Sequence, residues 1–363
     1  MSLIRAGIIG LGEVGQMIHL PILESLSDRF AITAICDVSP TLLSVMGERY
    51  RIPEAARHLD YRDLAARDDV DVVFVINSTE YHAECAIAAI QAGKHVLIEK
   101  PICLTRDEAD TIIRARDAAG VQVMVGYMRR FAPAFLEAVE HVRSLEEIRY
   151  VRVRDIIGHN RLFIDQSSAV LYPDDIPDDL KRDRQDRNRR MTREAIGDVP
   201  LALARAYGLL AGLSSHDLSA MRELLGVPPA RVISATQWHG GGFLTVLMDY
   251  GDYAAYLETG ADGQRRFDAH IEVYGPSSSL RVQYDTPYIR HLPTTLTISR
   301  EDGESHSETV IRPTYKDPYT CELESLHKVI VDGAPVKTTV EDSIEDLMLF
   351  RDIIEAMKAT VNA

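Results

Sequence analysis

The sequence predicts a two-domain chain: an α/β Rossmann domain with a parallel, doubly wound sheet, then an α+β domain with a large, mostly antiparallel open sheet. Three observations carry this. The length of 363 residues exceeds the roughly 250–300 residues that one hydrophobic core usually serves. Short β-branched runs alternate with longer helical stretches from residue 4 to about 125, and from about residue 148 strands follow strands. The turn Gly10-Leu11-Gly12-Glu13-Val14-Gly15 stands where the first strand meets the first helix. The expected domains are 1–127 and 128–363, with the final helices able to pack back on the first.

Taken in order, Ile4–Ile9, Ile32–Cys36, Val72–Ile76, His95–Ile98 and Val121–Val125 are near-continuous apolar runs, the pattern of parallel strands buried on both faces. Between them Val14–Ser27, Pro40–Arg49, His82–Ala92 and Arg106–Ala119 read as helices. Gly93 and Gly120 stand just past two of these, where a C-terminal glycine is expected. Strand–helix alternation implies helices on both faces and right-handed crossovers. The second domain's strands are Tyr150–Ile156, Val232–Trp238, Phe243–Asp249, Ala254–Thr259, His270–Tyr274, Leu280–Tyr284, Thr295–Ser299 and Glu308–Ile311, with Asp302-Gly303 as one turn signal. Helices Pro318–Val331 and Glu341–Lys358 close the chain. One face of this sheet is expected to be covered by helices; Val246 and Met248, alternating along one strand, and Val273 on another mark the other face as apolar and in need of cover.

The stretch Asp174–Glu194 breaks the texture. Lys181, Arg182, Arg184, Arg187, Arg189, Arg190 and Arg193 are interleaved with acids. It reads as a solvated helix or loop, or as an insertion over the pocket or an oligomer contact.

Composition narrows the function. A net charge of −15 lacks the basic field of a nucleic-acid binder. No window reaches the ~18 apolar residues of a membrane span; the best candidate, Leu201–Leu213, contains Arg205. The N-terminus shows no leader pattern. Cys36, Cys85, Cys103 and Cys321 are far apart, without CxxC spacing, which predicts buried thiols and a cytoplasmic protein. No His/Cys/Asp cluster calls for a metal.

The glycine turn carries the first chemistry. Gly10 permits the turn, Gly12 lets the backbone approach a pyrophosphate, and Gly15 lets helix and strand pack closely. Asp37 follows Gly15 by 22 residues at the end of the next strand, near the ~20 expected of an acid that binds the adenosine ribose. Its carboxylate would repel a 2′-phosphate, and no arginine follows at once, so NAD is expected rather than NADP.

Three further motifs carry a resemblance: Glu99-Lys100-Pro101 at a strand end, Gly126-Tyr127-Met128-Arg129-Arg130-Phe131 after the next strand, and His216-Asp217-Leu218 before a helix ending in Leu224-Leu225-Gly226. With the glycine turn and Asp37, the chain resembles the Gfo/Idh/MocA oxidoreductases, relatives of glucose–fructose oxidoreductase and inositol dehydrogenase, along nearly its whole length. The resemblance implies Lys100 and His216 as catalytic residues and a Lys-Pro bond that is often cis. It implies cofactor contacts from Gly10, Gly12, Glu13, Val14, Gly15, Asp37, Asn77, Ser78, Thr79, Glu99 and Lys100. Tyr127, Arg129, His159, Asn160 and Asp217 are candidate substrate residues; His82 reads as capping or packing. The implied reaction is NAD-dependent oxidation of a sugar, inositol or related polyol. Alternatives are transient oxidation with elimination and no net redox, or a non-catalytic NAD-binding regulator. The resemblance also implies a homodimer or homotetramer through the C-terminal sheet. One departure stands out: the family often has an aspartate four residues before the histidine, and here it is Gly212. Asp217 and Asp165 are the acids that could replace it.

Overall fold

A computed structural model describes residues 3–361; Met1, Ser2, Asn362 and Ala363 lie outside the described residues. The parallel sheet contains β1 (Ile4–Ile9), β2 (Phe30–Cys36), β3 (Arg57–His58), β4 (Val72–Val75), β5 (His95–Glu99) and β6 (Val123–Gly126), in the order β3-β2-β1-β4-β5-β6. That is the Rossmann order, with its switch point between β1 and β4. The apolar runs are buried as the sequence predicts: Ile8, Val72 through Val75 and Val96 through Ile98 are wholly inaccessible. Gly93 and Gly120 close their helices at φ 76° and 68°, conformations that cost glycine little. Two-residue β3 and the short helix Tyr61–Ala65 lie outside the predicted elements, being too brief to leave a periodic signal.

The first helix differs from a plain Val14–Ser27 segment. Gly15–His19 is a π turn, followed by α-helix over Leu20–Ser25. Pro21 has no N–H to give the carbonyl one turn earlier, and a widened turn accommodates that loss.

The second sheet holds β7 (Tyr150–Gly158), β8 (Arg231–Trp238), β9 (Phe243–Asp249), β10 (Ala254–Asp262), β11 (Phe267–Tyr274), β12 (Ser278–Tyr284), β13 (Thr295–Asp302) and β14 (Ser305–Ile311), in the order β14-β13-β12-β11-β7-β10-β9-β8. Every pairing is antiparallel except β7 with β10. One row across it runs Val246, Leu257, Val153, Ile271, Val282 and Leu296, and all six are 0 % exposed. This corrects the basis for an apolar open face. Val246, Met248 and Val273 are 0 % exposed within the single chain, on the side where helices Pro133–Arg143 and Ser215–Leu225 pack. The opposite face carries charge: Arg154 pairs with Glu258 and with Asp268.

The described chain divides into two compact units. The first is residues to Gly126 with Ser168–Ala195 and Glu322–Ile344; the second is Tyr127–Ser167, Ile196–Cys321 and the chain from Glu345. Within the first unit, Thr338 continues the edge of β6: its carbonyl accepts the Val125 N–H (2.9 Å) and its hydroxyl donates to the Val125 carbonyl (2.6 Å). The charged stretch also belongs to this unit. Its helix, Asp178–Ile196, docks on the turn after β4. Arg187 pairs with Glu84 at 2.8 Å, Asn188 donates to Glu80 at 2.8 Å, and Tyr81 donates to Asp183 at 2.8 Å. Its cations are therefore partly spent on the protein rather than on solvent. Among the described residues no single helix is long and apolar enough to cross a membrane.

Candidate functional site

In the first unit, the glycine turn, Asp37, the residues after β4 and the Glu99-Lys100-Pro101 turn all stand at the carboxyl ends of the strands, where ligands of open α/β sheets bind. Gly10 has φ +105°, and a Cβ there would lie 2.6 Å from the Asn77 nitrogen. A Cβ at Gly15 would meet the Gly10 carbonyl at 2.8 Å, whereas one at Gly12 would meet nothing within 4 Å. Gly10 and Gly15 are thus required by the protein itself, and Gly12 keeps a surface open. Asp37 accepts the Leu11 N–H (2.7 Å) and the Ser39 N–H (2.9 Å). Burial pushes its carboxyl pKa up, against those two donors. Asn77 is half-buried; its Nδ2 donates to Cys85 Sγ, while its Oδ1 is shut from solvent with no partner among the described residues. An orphaned acceptor beside the glycine turn, together with the open surface at Gly12, fits a dinucleotide.

Glu99 is buried and holds the Lys100 turn. His19 Nε2 lies 2.8 Å from one Glu99 oxygen, and the other accepts the Lys100 N–H at 3.1 Å. Burial alone would raise the Glu99 pKa; the bond to His19 and the charge of Lys100 bring it below the usual carboxylate value. Gly126 makes room, since a Cβ there would stand 3.3 Å from the Glu99 carboxyl. The Lys100–Pro101 bond is cis. His82 is buried, with Nδ1 2.9 Å from the Pro101 carbonyl and Nε2 3.0 Å from the Asn77 carbonyl. It ties the end of β4 to the turn after β5. Lys100 itself is half-exposed. Glu13 and Val14 begin the helix after the turn, and Ser78 precedes a single 3₁₀ turn at Thr79–Tyr81.

The second unit holds His216, 8 % exposed. It does not precede a helix but lies inside the continuous run Leu201–Leu225. That run contains a π turn at Leu210–Ser214, so Gly212 and His216 are not separated by a regular α turn. A Cβ at Gly212 would meet nothing within 4 Å. Neither candidate acid is committed there: Asp165 pairs with Arg161 on an exposed helix face, and Asp217 pairs with Arg129.

Arg129 and Asp217 belong to a buried polar frame. Arg129 Nη1 donates to Asp217 and Nη2 to Asp155 at 3.1 Å. The guanidinium also lies 4.8 Å from the Tyr284 ring centre. Both carboxylates are 0 % exposed and Arg129 is 3 % exposed. Burial, opposed by the Arg129 charge and reinforced by Asp155, pushes the Asp217 pKa well above the usual value. Burial thus favours the protonated form of Asp217, and Arg129 favours the charged one. Two residues before His216, the Ser214 hydroxyl donates to Thr259 at 3.0 Å. The frame thus clamps the helix on both sides of His216. Tyr127 is 2 % exposed. Asn160 heads the helix Arg161–Ser167 and donates to the Tyr288 hydroxyl at 3.3 Å, with His159 exposed beside it.

Asp155, Thr259 and Tyr284 are additions to the residues read from sequence. Asp155 had a signal: Val151, Val153 and Ile157 alternate inward on β7, and period two places Asp155 with them.

Residues 4–127 match the family described as "Oxidoreductase family, NAD-binding Rossmann fold". The chain is 34% identical over 144 residues to inositol 2-dehydrogenase of Salmonella paratyphi B, a match covering 39% of this chain and 42% of that protein's own length. It is 27% identical over 362 residues to myo-inositol 2-dehydrogenase of Thermotoga maritima, covering 95% and 93%. Its fold is similar to that of aldose-aldose oxidoreductase from Caulobacter crescentus, with a TM-score of 0.76 at 21% identity over 99% and 98% of the chains.

Proposed function

We propose, for a chain that belongs through residues 4–127 to the GFO/IDH/MocA oxidoreductase family, that it is an NAD-dependent dehydrogenase acting on a CH–OH group of a sugar, inositol or related polyol or sugar acid. The observation that carries this reading is one sheet end that gathers the glycine turn, Asp37 and the pinned Glu99-Lys100-Pro101 turn. Gly10, Gly12, Glu13, Val14 and Gly15 would receive the pyrophosphate at the helix start. Asp37 would accept the adenosine ribose hydroxyls, and Asn77, Ser78, Thr79 and Glu99 line the strand ends beyond. Bound there, nicotinamide supplies the hydride acceptor.

The chain's own part is orientation and proton handling. Lys100 Nζ donates to or accepts from the alcohol oxygen, and His216 accepts the hydroxyl proton at a ring nitrogen. Tyr127, Arg129 and Asp217 are spent on the interior, so we assign them to holding the His216 helix. His159 and Asn160 remain the substrate-rim candidates. The open space at Gly212 is room for substrate where a carboxylate would otherwise stand.

Two tests follow from these assignments. Asp37→Ser is expected to narrow an NAD preference over NADP by at least about tenfold, about 1.4 kcal/mol; a wild type that prefers NADP overturns the cofactor assignment. His216→Ala is expected to lower kcat by about 10²–10⁴-fold with little change in KM. A raised KM with preserved kcat makes His216 a binding residue only.

A further inference from the structure

Within the first unit the segment 171–175 runs from the helix that follows the glycine turn to the start of the helix that follows β2. At one end, Leu171 and Gln16 exchange two hydrogen bonds of 2.9 Å, and the Tyr172 hydroxyl donates to Glu13 at 2.9 Å. At the other end stands Asp175. One of its oxygens accepts the Ser39 hydroxyl at 2.5 Å, and the other accepts the Thr41 N–H at 2.8 Å. Ser39 is 0 % exposed and caps the helix Pro40–Arg49, its Oγ accepting the Leu42 N–H at 3.1 Å. The same serine gives its own N–H to Asp37. Two carboxylates thus meet on one buried serine.

This is the end of the site where the adenosine ribose belongs. A 2′-phosphate would bring close to two negative charges to it and would need cations or unspent helix N–H groups. Here the first N–H groups of the helix after β2 are taken by Asp175 and Ser39. The bond from Ser39 holds the Asp175 pKa below the usual value, so the group is ionised at neutral pH, and its charge bears on Asp37.

We propose that Asp175 is a second determinant of dinucleotide choice. Together with Asp37 it makes the adenosine end doubly acidic and occupies the helix start a 2′-phosphate would use. The ligand accepted is a nicotinamide dinucleotide with a free 2′-hydroxyl; the ligand refused is its 2′-phosphorylated form. This rests on the reading that the glycine turn binds such a dinucleotide. The determinant sits far along the chain from β2, in a segment that belongs to the first unit, so a distant stretch of sequence completes that unit's cofactor site.

The test is fluorescence titration of NADH and NADPH on wild type, Asp175→Asn, Asp175→Glu, Asp37→Ser and Asp37→Ser/Asp175→Asn. Asp175→Asn is expected to tighten NADPH about five- to tenfold and to leave NADH within about twofold. Asp175→Glu keeps the charge and the preference, and the double variant shifts further than either single one. If Asp175→Asn weakens both dinucleotides in proportion, Asp175 only anchors the segment and the proposal is overturned. The same holds if neither affinity moves while Asp37→Ser still narrows the preference. A wild type that binds neither dinucleotide, or prefers NADPH, overturns the underlying cofactor reading instead.

Discussion

Lys100→Ala is expected to lower kcat by about 10²–10⁴-fold, the usual contribution of a positioned acid or base, while the affinity for NAD changes by less than about threefold. The separation follows from the geometry. The backbone on both sides of Lys100 is pinned, by Glu99 at its N–H and by His82 at the Pro101 carbonyl. Removing the side chain leaves that turn intact, together with the glycine turn and Asp37 that the proposed function gives to the dinucleotide. Lys100→Arg is expected to recover little activity, because a guanidinium does not release its proton near neutral pH. Steady-state kinetics with a separate NAD titration checks both parts. Near-normal turnover in Lys100→Ala removes Lys100 from the mechanism.

Arg129→Ala is expected to cost about 3–5 kcal/mol of stability, since it leaves two carboxyl groups buried around a missing cation. Asp217→Asn is expected to cost less than about 1.5 kcal/mol, because burial favours the uncharged carboxyl and an amide keeps the acceptor for Arg129. The sign with pH is definite. A carboxyl whose folded pKa is raised contributes stability below its unfolded value, and that contribution is lost as pH rises through the folded one. Asp217→Asn should therefore gain on wild type as pH rises. Chemical denaturation at mildly acid and mildly alkaline pH measures this; equal losses for Arg129→Ala and Asp217→Asn at every pH contradict it. The surviving Arg129→Ala protein should also lose kcat, because the frame sets the His216 helix.

Local signals made the first sheet and the turns of the candidate cofactor site legible. Gly10 and Gly15 answer backbone constraints that no other residue meets, so their spacing carries structural information. Glu99-Lys100-Pro101 is a contiguous turn and reads as one. What escaped depends on long-range encounters. Asp175 reaches Ser39 across 136 positions, and nothing in the charged stretch distinguishes it from Asp174. Arg129 reads as a substrate contact from its place after a strand end, and Asp217 from its place beside His216; their common partner Asp155 lies on β7, 26 positions from Arg129 and 62 from Asp217. Val246 and Met248 alternate equally well whichever face is covered, so period two identifies a face without saying which side the helices take. Gly212 was visible in the sequence, but its relation to His216 was not: the π turn at Leu210–Ser214 changes the spacing that a regular helix would impose.

The most direct measurement is NADH formation with NAD and a panel of sugars, inositols and sugar acids, followed by absorbance on the wild-type protein. The account predicts steady, enzyme-proportional NADH formation with at least one of them, several-fold faster than with NADP and lowered about 10²–10⁴-fold in Lys100→Ala. Substrate consumption without net NADH, or no turnover across the panel in a protein that binds NAD, would contradict it.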